Sequence, residues 1–298
     1  MFVRGRLIRS YLYHETNFVL RPYAGPSVIT IHDFSFHHYP ELHPPERVRH
    51  MSEGLPASVE KALHVITDSE FVRREAIERL DIPPEKVTAI ALGVDPVFRP
   101  RSKAELAPVL ERYDLLDRSF VLVVGNFEPR KNLERLVAAY GQLPADVKAG
   151  VILVHTGPEG WRNSALRARI ERLQSQGRFV RLGYVPACDL PFLIAAARVL
   201  AFPSIYEGFG LPPLEAMACG VPVLASDAAS IPEVVGSAAA LVDARDVDAM
   251  ADALERLLTN ETLRQRLHQQ GIERASGFTW KRTAEQTIRV YRRVLTAT

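Results

Sequence analysis

Short apolar runs alternate along the chain with segments that carry an apolar residue at every third or fourth position. A run of four to seven such residues, bounded by glycine, proline or polar residues, reads as a strand buried on both faces. The three-four spacing reads as an amphipathic helix. In the first part, residues 28–32, 64–68 and 87–92 read as strands. Residues 46–62 and 69–80 read as helices, the second opened by Ser69 as its cap. Residues 93–101, with Pro96 and Pro100, break regular structure and mark a boundary. Beyond it, 120–125, 151–157, 179–185, 199–203, 222–226 and 239–242 read as strands, with helices between them at 133–142, 161–176 and 190–197. The chain is helical from about residue 246, and 279–294 is a final amphipathic helix rich in arginine. Strand alternating with helix predicts an α/β protein with parallel sheets covered on both faces. Three strands against six leave the first part short. The expectation is that it borrows strands from a partner or that its beginning is absent from this chain. There is no internal repeat or low-complexity tract.

The 298 residues, 47% hydrophobic and 24% charged, fit a globular protein of two domains. With 37 basic and 35 acidic side chains the net charge is +2, which provides no global field for nucleic acid. Cys188 and Cys219 make neither a ligand cluster nor a disulfide framework and fit a reducing cytosol. The longest apolar stretch, 190–206, is broken by Arg198, so a membrane-spanning helix is not expected. Residues 1–13 carry Arg4, Arg6 and Arg9 but lack the unbroken apolar core of a secretory signal. They read as a domain helix with a basic exposed face, the alternative being a helix lying on a membrane surface.

In an open parallel sheet, ligands bind beyond the carboxyl ends of the strands. After the first strand of the second part come Gly125, Asn126, Phe127, Glu128, Pro129, Arg130, Lys131 and Asn132, just before a helix. Glycine admits close approach, the helix N-terminus attracts anions, and Arg130 and Lys131 add two positive charges suited to a diphosphate. The later strands end in His155, Thr156 and Gly157, with Gly160 and Trp161 following, and in Gly183, Tyr184 and Val185, turns able to receive a flat base. The most informative stretch is 203–215. Glu207 sits beside Gly208, Phe209 and Gly210, Leu211 leads into Pro212 and Pro213, and Glu215 is expected in the first helical turn, with seven residues between it and Glu207. Carboxylates accept paired hydrogen bonds from vicinal hydroxyls, so the two suit sugar and ribose.

Three patterns point elsewhere on first inspection. Asp246 and Asp248 match the letters of a metal-binding motif, but Asp246 reads as the cap of a helix over 246–258. His37, His38 and His43 fit no common zinc spacing, and loop packing or acceptor contact is the better reading. Gly208 and Gly210 lack the third glycine of a dinucleotide fingerprint, which disfavours a nicotinamide enzyme. No metal and no cofactor are therefore expected.

Glu207 and Glu215, the Gly-Phe-Gly-Leu-Pro between them, and the Ala216-Met-Ala-Cys-Gly-Val-Pro-Val that follows resemble the signature of retaining glycosyltransferases of the GT4 group. Glu128 to Asn132, the pair Gly160 and Trp161, and Ile231 to Val234 match it too, and the resemblance covers 25–295. It implies the GT-B fold, two Rossmann-like domains with parallel sheets facing across a cleft. The first would be an acceptor-side domain over 1–115 joined by the last helix (279–298) and incomplete at its beginning. The second would be a nucleotide-sugar domain over 116–278. The family's roles imply that Arg130 and Lys131 neutralise the donor diphosphate and that Glu207, with the amides of Phe209, Gly210 and Leu211, holds sugar and phosphate. Glu215 would hold the ribose and Gly183 to Val185 would line the base. Thr30, Ile31, His32 and Asp33 resemble the strand end that places a histidine beside the transferred sugar. Some members carry a further arginine where Phe127 stands, so here the phosphate charge rests on Arg130 and Lys131.

Tyr13, His14, Glu15 and Asn17, the Ile31-His-Asp33 and His38-Tyr-Pro40 runs, His43 with Pro44, and Thr67 to Phe71 resemble bacterial enzymes that build polysaccharide O-chains from GDP-mannose or a GDP-deoxyhexose. The implied activity is metal-independent, retaining transfer of a hexose, mannose or a relative, to a glycan or lipid-linked glycan acceptor. It would take place in the cytoplasm or at the inner membrane face, with no nucleic-acid partner. The alternatives are a GT-B nucleotide-sugar epimerase and a catalytically silent nucleotide-sugar-binding module.

Overall fold

The computed structural model describes residues 11–158 and 164–296. The chain divides into two units, one of Met1–Gly93, Glu207–Phe209 and Phe278–Thr298 and one of Val94–Tyr206 and Gly210–Gly277.

The first unit is built on four parallel strands, β1 (Tyr13–Glu15), β2 (Ser27–Ile31), β3 (His64–Thr67) and β4 (Val87–Ala89), hydrogen-bonded in chain order. Every residue of β2 and β3 is buried, which is why their sequences run on as uninterrupted strand formers. The three predicted strands are joined by a fourth. Tyr13, the last residue of the span expected to be helical, opens β1; residues 1–10 lie outside the described residues. β1 carries no apolar run because its polar side chains are used locally. The Tyr13 hydroxyl donates to Glu15 at 2.7 Å, and the His14 ring bridges Thr30 Oγ1 at 2.8 Å and the Tyr291 hydroxyl at 2.6 Å. Tyr291 belongs to the last helix, Trp280–Thr296, which lies on this sheet. Val290 and Val294, one turn apart, close over Val28, Ile66 and Ile90, and Thr283 donates to the Ala91 carbonyl at 2.7 Å. The backbone of Trp280 crosses so near Gly93 that a Cβ there would stand 2.2 Å from the Trp280 nitrogen.

The second unit has six parallel strands, β5 (Phe120–Val124), β6 (Ile152–Thr156), β7 (Phe179–Gly183), β8 (Val199–Phe202), β9 (Val223–Ser226) and β10 (Ala240–Val242). Their order is β10-β9-β8-β5-β6-β7. Counted from β5 this is the doubly wound order 3-2-1-4-5-6, whose reversal lies between β5 and β8. The helix Leu133–Gln142 buries Leu136, Val137 and Tyr140 in the core, and the Tyr140 hydroxyl donates to the Val151 carbonyl at 2.8 Å. Asp246 does cap the helix Val247–Thr259, its carboxylate accepting from the Ala249 amide at 2.9 Å.

The expected boundary at 115 is corrected. A helix over Lys103–Arg112, started by a capping box of Ser102 and Glu105, packs on the helix Leu190–Ala196 of the second unit. Arg112 and the Tyr113 hydroxyl both reach Asp189, at 2.6 and 2.8 Å. The chain therefore changes unit at Gly93 and Val94, and residues 94–115 stand with the second unit rather than the first. Residues 207–209, placed by sequence in the second domain, pack with the first unit. A Cβ on Gly208 would stand 1.9 Å from the His32 carbonyl oxygen, and Ser69 Oγ donates to the Gly208 carbonyl at 2.7 Å.

Candidate active site

The reversal in the second sheet sets the loops after β5 and β8 side by side. Gly125 ends β5 at a φ of +146°, open to glycine and strained for other residues. A Cβ there would press to 3.2 Å on the Lys131 side chain, so the glycine lets that side chain lie over the strand end. Lys131 Nζ stands 5.2 Å from the ring centre of Phe202, the last residue of β8. The ammonium thus lies across the carboxyl ends of the two strands that flank the reversal. Gly157 fits against the same strand end, since a Cβ on it would fall 1.9 Å from the Gly125 carbonyl oxygen. The Gly125 amide donates to the Thr156 carbonyl at 2.9 Å and the Gly157 amide to the Gly183 carbonyl at 2.8 Å.

Arg130, expected to share an anion with Lys131, stands in the same turn after β5. Its guanidinium donates to Glu128 Oε1 at 2.8 Å and to the Tyr206 carbonyl at 2.7 Å, while its own carbonyl accepts from the Ile205 amide at 2.9 Å. Only 13% of the side chain is exposed. Its charge is matched by Glu128, and it ties the turn after β5 to the loop after β8. Asn132, to which the sequence reading gave no role, is the other tie. It sits in the left-handed region (φ 60°), is buried, and donates to the carbonyls of Pro203 at 3.0 Å and Ala244 at 2.6 Å. The one signal for it in the sequence was an asparagine directly before a helix, a residue type tolerant of that conformation.

Gly210 (φ +110°) opens the helix Leu211–Ala218. Pro212 and Pro213 have no N–H, so within the first turn only the amides of Gly210 and Leu211 remain to bind an anion. Glu215, expected in the first turn, falls just beyond it. Burial pushes its carboxyl up to about 7, and the negative charge of Asp95 adds to the effect. After β7, Gly183 takes a φ of +67°, Val185 is buried, and the Tyr184 ring is 76% exposed, a free aromatic face. Deeper in, the buried His155 packs edge-on to Phe127 at 5.5 Å, and the Arg181 guanidinium lies 5.1 Å from the centre of the same ring. Burial first and then Arg181 hold the His155 imidazole down at about 4, so it is neutral at physiological pH. Gly160 and Trp161 lie outside the described residues.

In the first unit, His32 and Asp68 follow β2 and β3 at their carboxyl ends. His32 Nδ1 meets Asp68 Oδ2 at 2.7 Å, and Nε2 meets the Thr16 carbonyl at 2.8 Å. A carbonyl only accepts, so Nε2 carries a proton, and the short contact to Asp68 requires a second proton shared between the pair. Burial pulls the His32 pKa down, but the hydrogen bond and charge of Asp68 outweigh it and the net direction is up. The Gly208 backbone packs directly on the His32 carbonyl, so Glu207 and Phe209 are held at this strand end. His37 and His38 meet Arg79 on the neighbouring helix, at 3.2 Å and 3.0 Å, and His38 also meets Glu75, which is loop packing.

One unit holds a doubly wound sheet with a lysine over its switch point, the place where such sheets bind ligands, and the other a parallel sheet with a histidine at a strand end. Comparison with known proteins agrees. The family described as Glycosyl transferases group 1 matches residues 113–274, and Glycosyltransferase Family 4 matches 12–98. The O-antigen chain mannosyltransferase B of Escherichia coli is 40% identical over 284 residues, covering 95% of this chain and 74% of that protein. The serotype-specific mannosyltransferase WbdA of the same organism is 33% identical over 244 residues, 80% of this chain but 30% of its own length. Anabaena HepE, solved with UDP and glucose, superposes with a TM-score of 0.76 at 22% identity, covering 90% of this chain and 71% of its own, and shows the shared fold. The chain belongs to the GT4 glycosyltransferases of GT-B fold.

Proposed function

We propose that this glycosyltransferase is a retaining, metal-independent mannosyltransferase. It moves mannose from GDP-mannose to the growing end of a lipid-linked O-antigen glycan, working from the cytoplasmic side and peripherally on the inner membrane. The observation that carries this reading is the Lys131 ammonium lying across the ends of β5 and β8. A cation fixed there, with the Gly210 and Leu211 amides, suits a diphosphate that gains charge as it leaves. The mannosyl donor and the O-antigen acceptor are suggested by the 40% identical E. coli relative. No helix among the described residues is long and apolar enough to cross a membrane.

In this reading the second unit binds the nucleotide and the first serves the acceptor. Lys131 neutralises the diphosphate, Arg130 with Glu128 holds its loop, Glu215 takes the ribose hydroxyls, and Gly183, Tyr184 and Val185 receive the base. Glu207 and the Phe209 amide serve the sugar, with His32 beside it. The bond from the anomeric carbon to the phosphate oxygen breaks while the acceptor oxygen bonds to that carbon from the same face. The departing phosphate takes the acceptor hydroxyl's proton, and GDP leaves. Lys131 stabilises the phosphate charge as it develops, and no metal or other cofactor is required for that step.

The test is incubation of radiolabelled GDP-mannose with the chain and a bacterial membrane lipid extract. Label passing into lipid supports transfer. A new nucleotide sugar would instead establish an epimerase, and label that stays in unchanged GDP-mannose would leave a binding module.

A further inference from the structure

The histidine after β2 is held on both ring nitrogens. His32 Nδ1 meets Asp68 Oδ2 at 2.7 Å, just past the end of β3, and Nε2 donates to the Thr16 carbonyl at 2.8 Å, just past the end of β1. Phe18 packs edge-on to the same imidazole, with ring centres 5.4 Å apart. The outer torsion of a histidine side chain has broad, two-fold wells, so a ring with no second partner turns over easily. Here a half-turn would set a ring carbon against Asp68 and another against the Thr16 carbonyl. One orientation keeps both hydrogen bonds.

The Thr16 carbonyl is aimed by the residues that follow it. The Val19 amide donates to the Asn17 carbonyl at 2.8 Å, which closes a three-residue turn around Phe18, and Phe18 takes a φ of 64°. This is the γ-turn of positive φ, the rarer and more strained of the two kinds. Glycine or asparagine enters that region at less cost. A phenylalanine stands there because the position has a second demand: its side chain is buried against His32 and Phe36, the Phe36 ring centre lying 6.4 Å away. The turn is also anchored on both sides. The Phe18 amide donates to the Thr30 carbonyl of β2 at 3.0 Å, and the Leu20 amide donates to Ser58 Oγ at 2.9 Å on the helix Pro45–Lys61. Gly54 of that helix lies so near that a Cβ there would stand 2.8 Å from the Val19 side chain. Backbone strain that its surroundings hold in place in this way collects at functional sites.

We infer that Phe18 is a positioning residue for sugar transfer: its left-handed turn holds the Thr16 carbonyl on His32 Nε2 and so keeps the imidazole in one orientation through turnover. The inference rests on the transferase reading, which puts His32 beside the transferred sugar, and goes further by naming the residue that orients it. Phe18 acts through His32 and need not touch substrate.

Leucine and isoleucine separate the turn from the burial. They have the same number of side-chain atoms and fill a buried site alike, but the β-branched side chain opposes positive φ more strongly than the other. The experiment compares the isotope-labelled whole chain as wild type, Phe18→Leu and Phe18→Ile. The hydrogen-bonded Nε2 proton of His32, identified in the NMR spectrum by its absence from His32→Gln, should be present in the wild type and in Phe18→Leu and lost to solvent exchange in Phe18→Ile. With GDP-mannose and a mannose-terminated acceptor, kcat of Phe18→Ile should fall by about tenfold or more, as for a group moved out of place, while Phe18→Leu stays within about threefold of the wild type. KM for GDP-mannose, and GDP affinity by calorimetry, should be the same in all three, which separates lost orientation from lost folding. Two variants that behave alike, both like the wild type or both impaired, overturn the inference. So does a wild type without the Nε2 proton, or a Phe18→Ile that loses the proton and keeps its kcat. A wild type that shows the expected proton pattern and transfers no sugar would overturn the transferase reading, with the hold of Phe18 on His32 established.

Discussion

Replacing Glu215 by glutamine separates the cost of burying a carboxylate from its use in binding. A carboxyl ordinarily at 4.5 and held at about 7 stays protonated in the folded protein after it has ionised in the unfolded chain. Over that window the folded state binds the extra proton, so stability falls as pH rises from about 4.5 to about 7 and levels off above. At ~1.36 kcal/mol per pH unit the full penalty is about 3 kcal/mol, and about 2–3 kcal/mol of it develops between pH 5 and 8. Glutamine has the same shape and nothing to ionise. Urea unfolding of the two proteins at pH 5, 6, 7 and 8 should show Glu215→Gln gaining on the wild type by that amount. Ribose hydroxyls that donate to the carboxylate favour its charged form, so GDP affinity of the wild type should rise with pH through 7. In Glu215→Gln it should be weaker and flat. A stability gap that does not move with pH would refute the burial argument. A GDP affinity unchanged by the substitution would remove Glu215 from the nucleotide site.

Lys131→Ala should lower kcat/KM for sugar transfer by about a hundredfold, ~2.7 kcal/mol, with a smaller loss in GDP affinity, because its contact strengthens as the diphosphate gains charge. Near-wild-type steady-state turnover would contradict this. Asp68→Asn should lower the His32 titration midpoint, followed by NMR of the imidazole protons, because the carboxylate that raises it is gone; a midpoint that stays put would show that Asp68 does not set it. Asn132→Ala should cost about 2–4 kcal/mol in urea unfolding, since it leaves the Pro203 and Ala244 carbonyls without their donor.

The second sheet was legible because strands buried on both faces are written as continuous apolar runs, as in Phe120–Val124 and Val199–Phe202. Caps were legible because they are local: Ser69 and Asp246 each accept from an amide three residues on. β1 was not legible, because Tyr13, His14 and Glu15 satisfy one another and partners as distant as Tyr291 rather than forming an apolar run. The same distance hid the site's supports. Arg130 looks in sequence like one half of a basic pair, yet the carbonyl that fixes it is 76 residues away. Asn132 is tied across 71 and 112 residues. The unit boundary was misplaced because the partner of the helix Lys103–Arg112, the helix Leu190–Ala196, comes much later in the chain.

The most direct measurement is the anomeric configuration of the sugar newly added to an oligomannose acceptor, read by NMR after reaction with GDP-mannose in the presence of excess EDTA. The expected result is a product that keeps the α configuration of the donor, formed as fast with the chelator as without it. A β-linked product, or transfer abolished by the chelator and restored by a divalent metal, would contradict a retaining reaction whose phosphate charge is carried by Lys131.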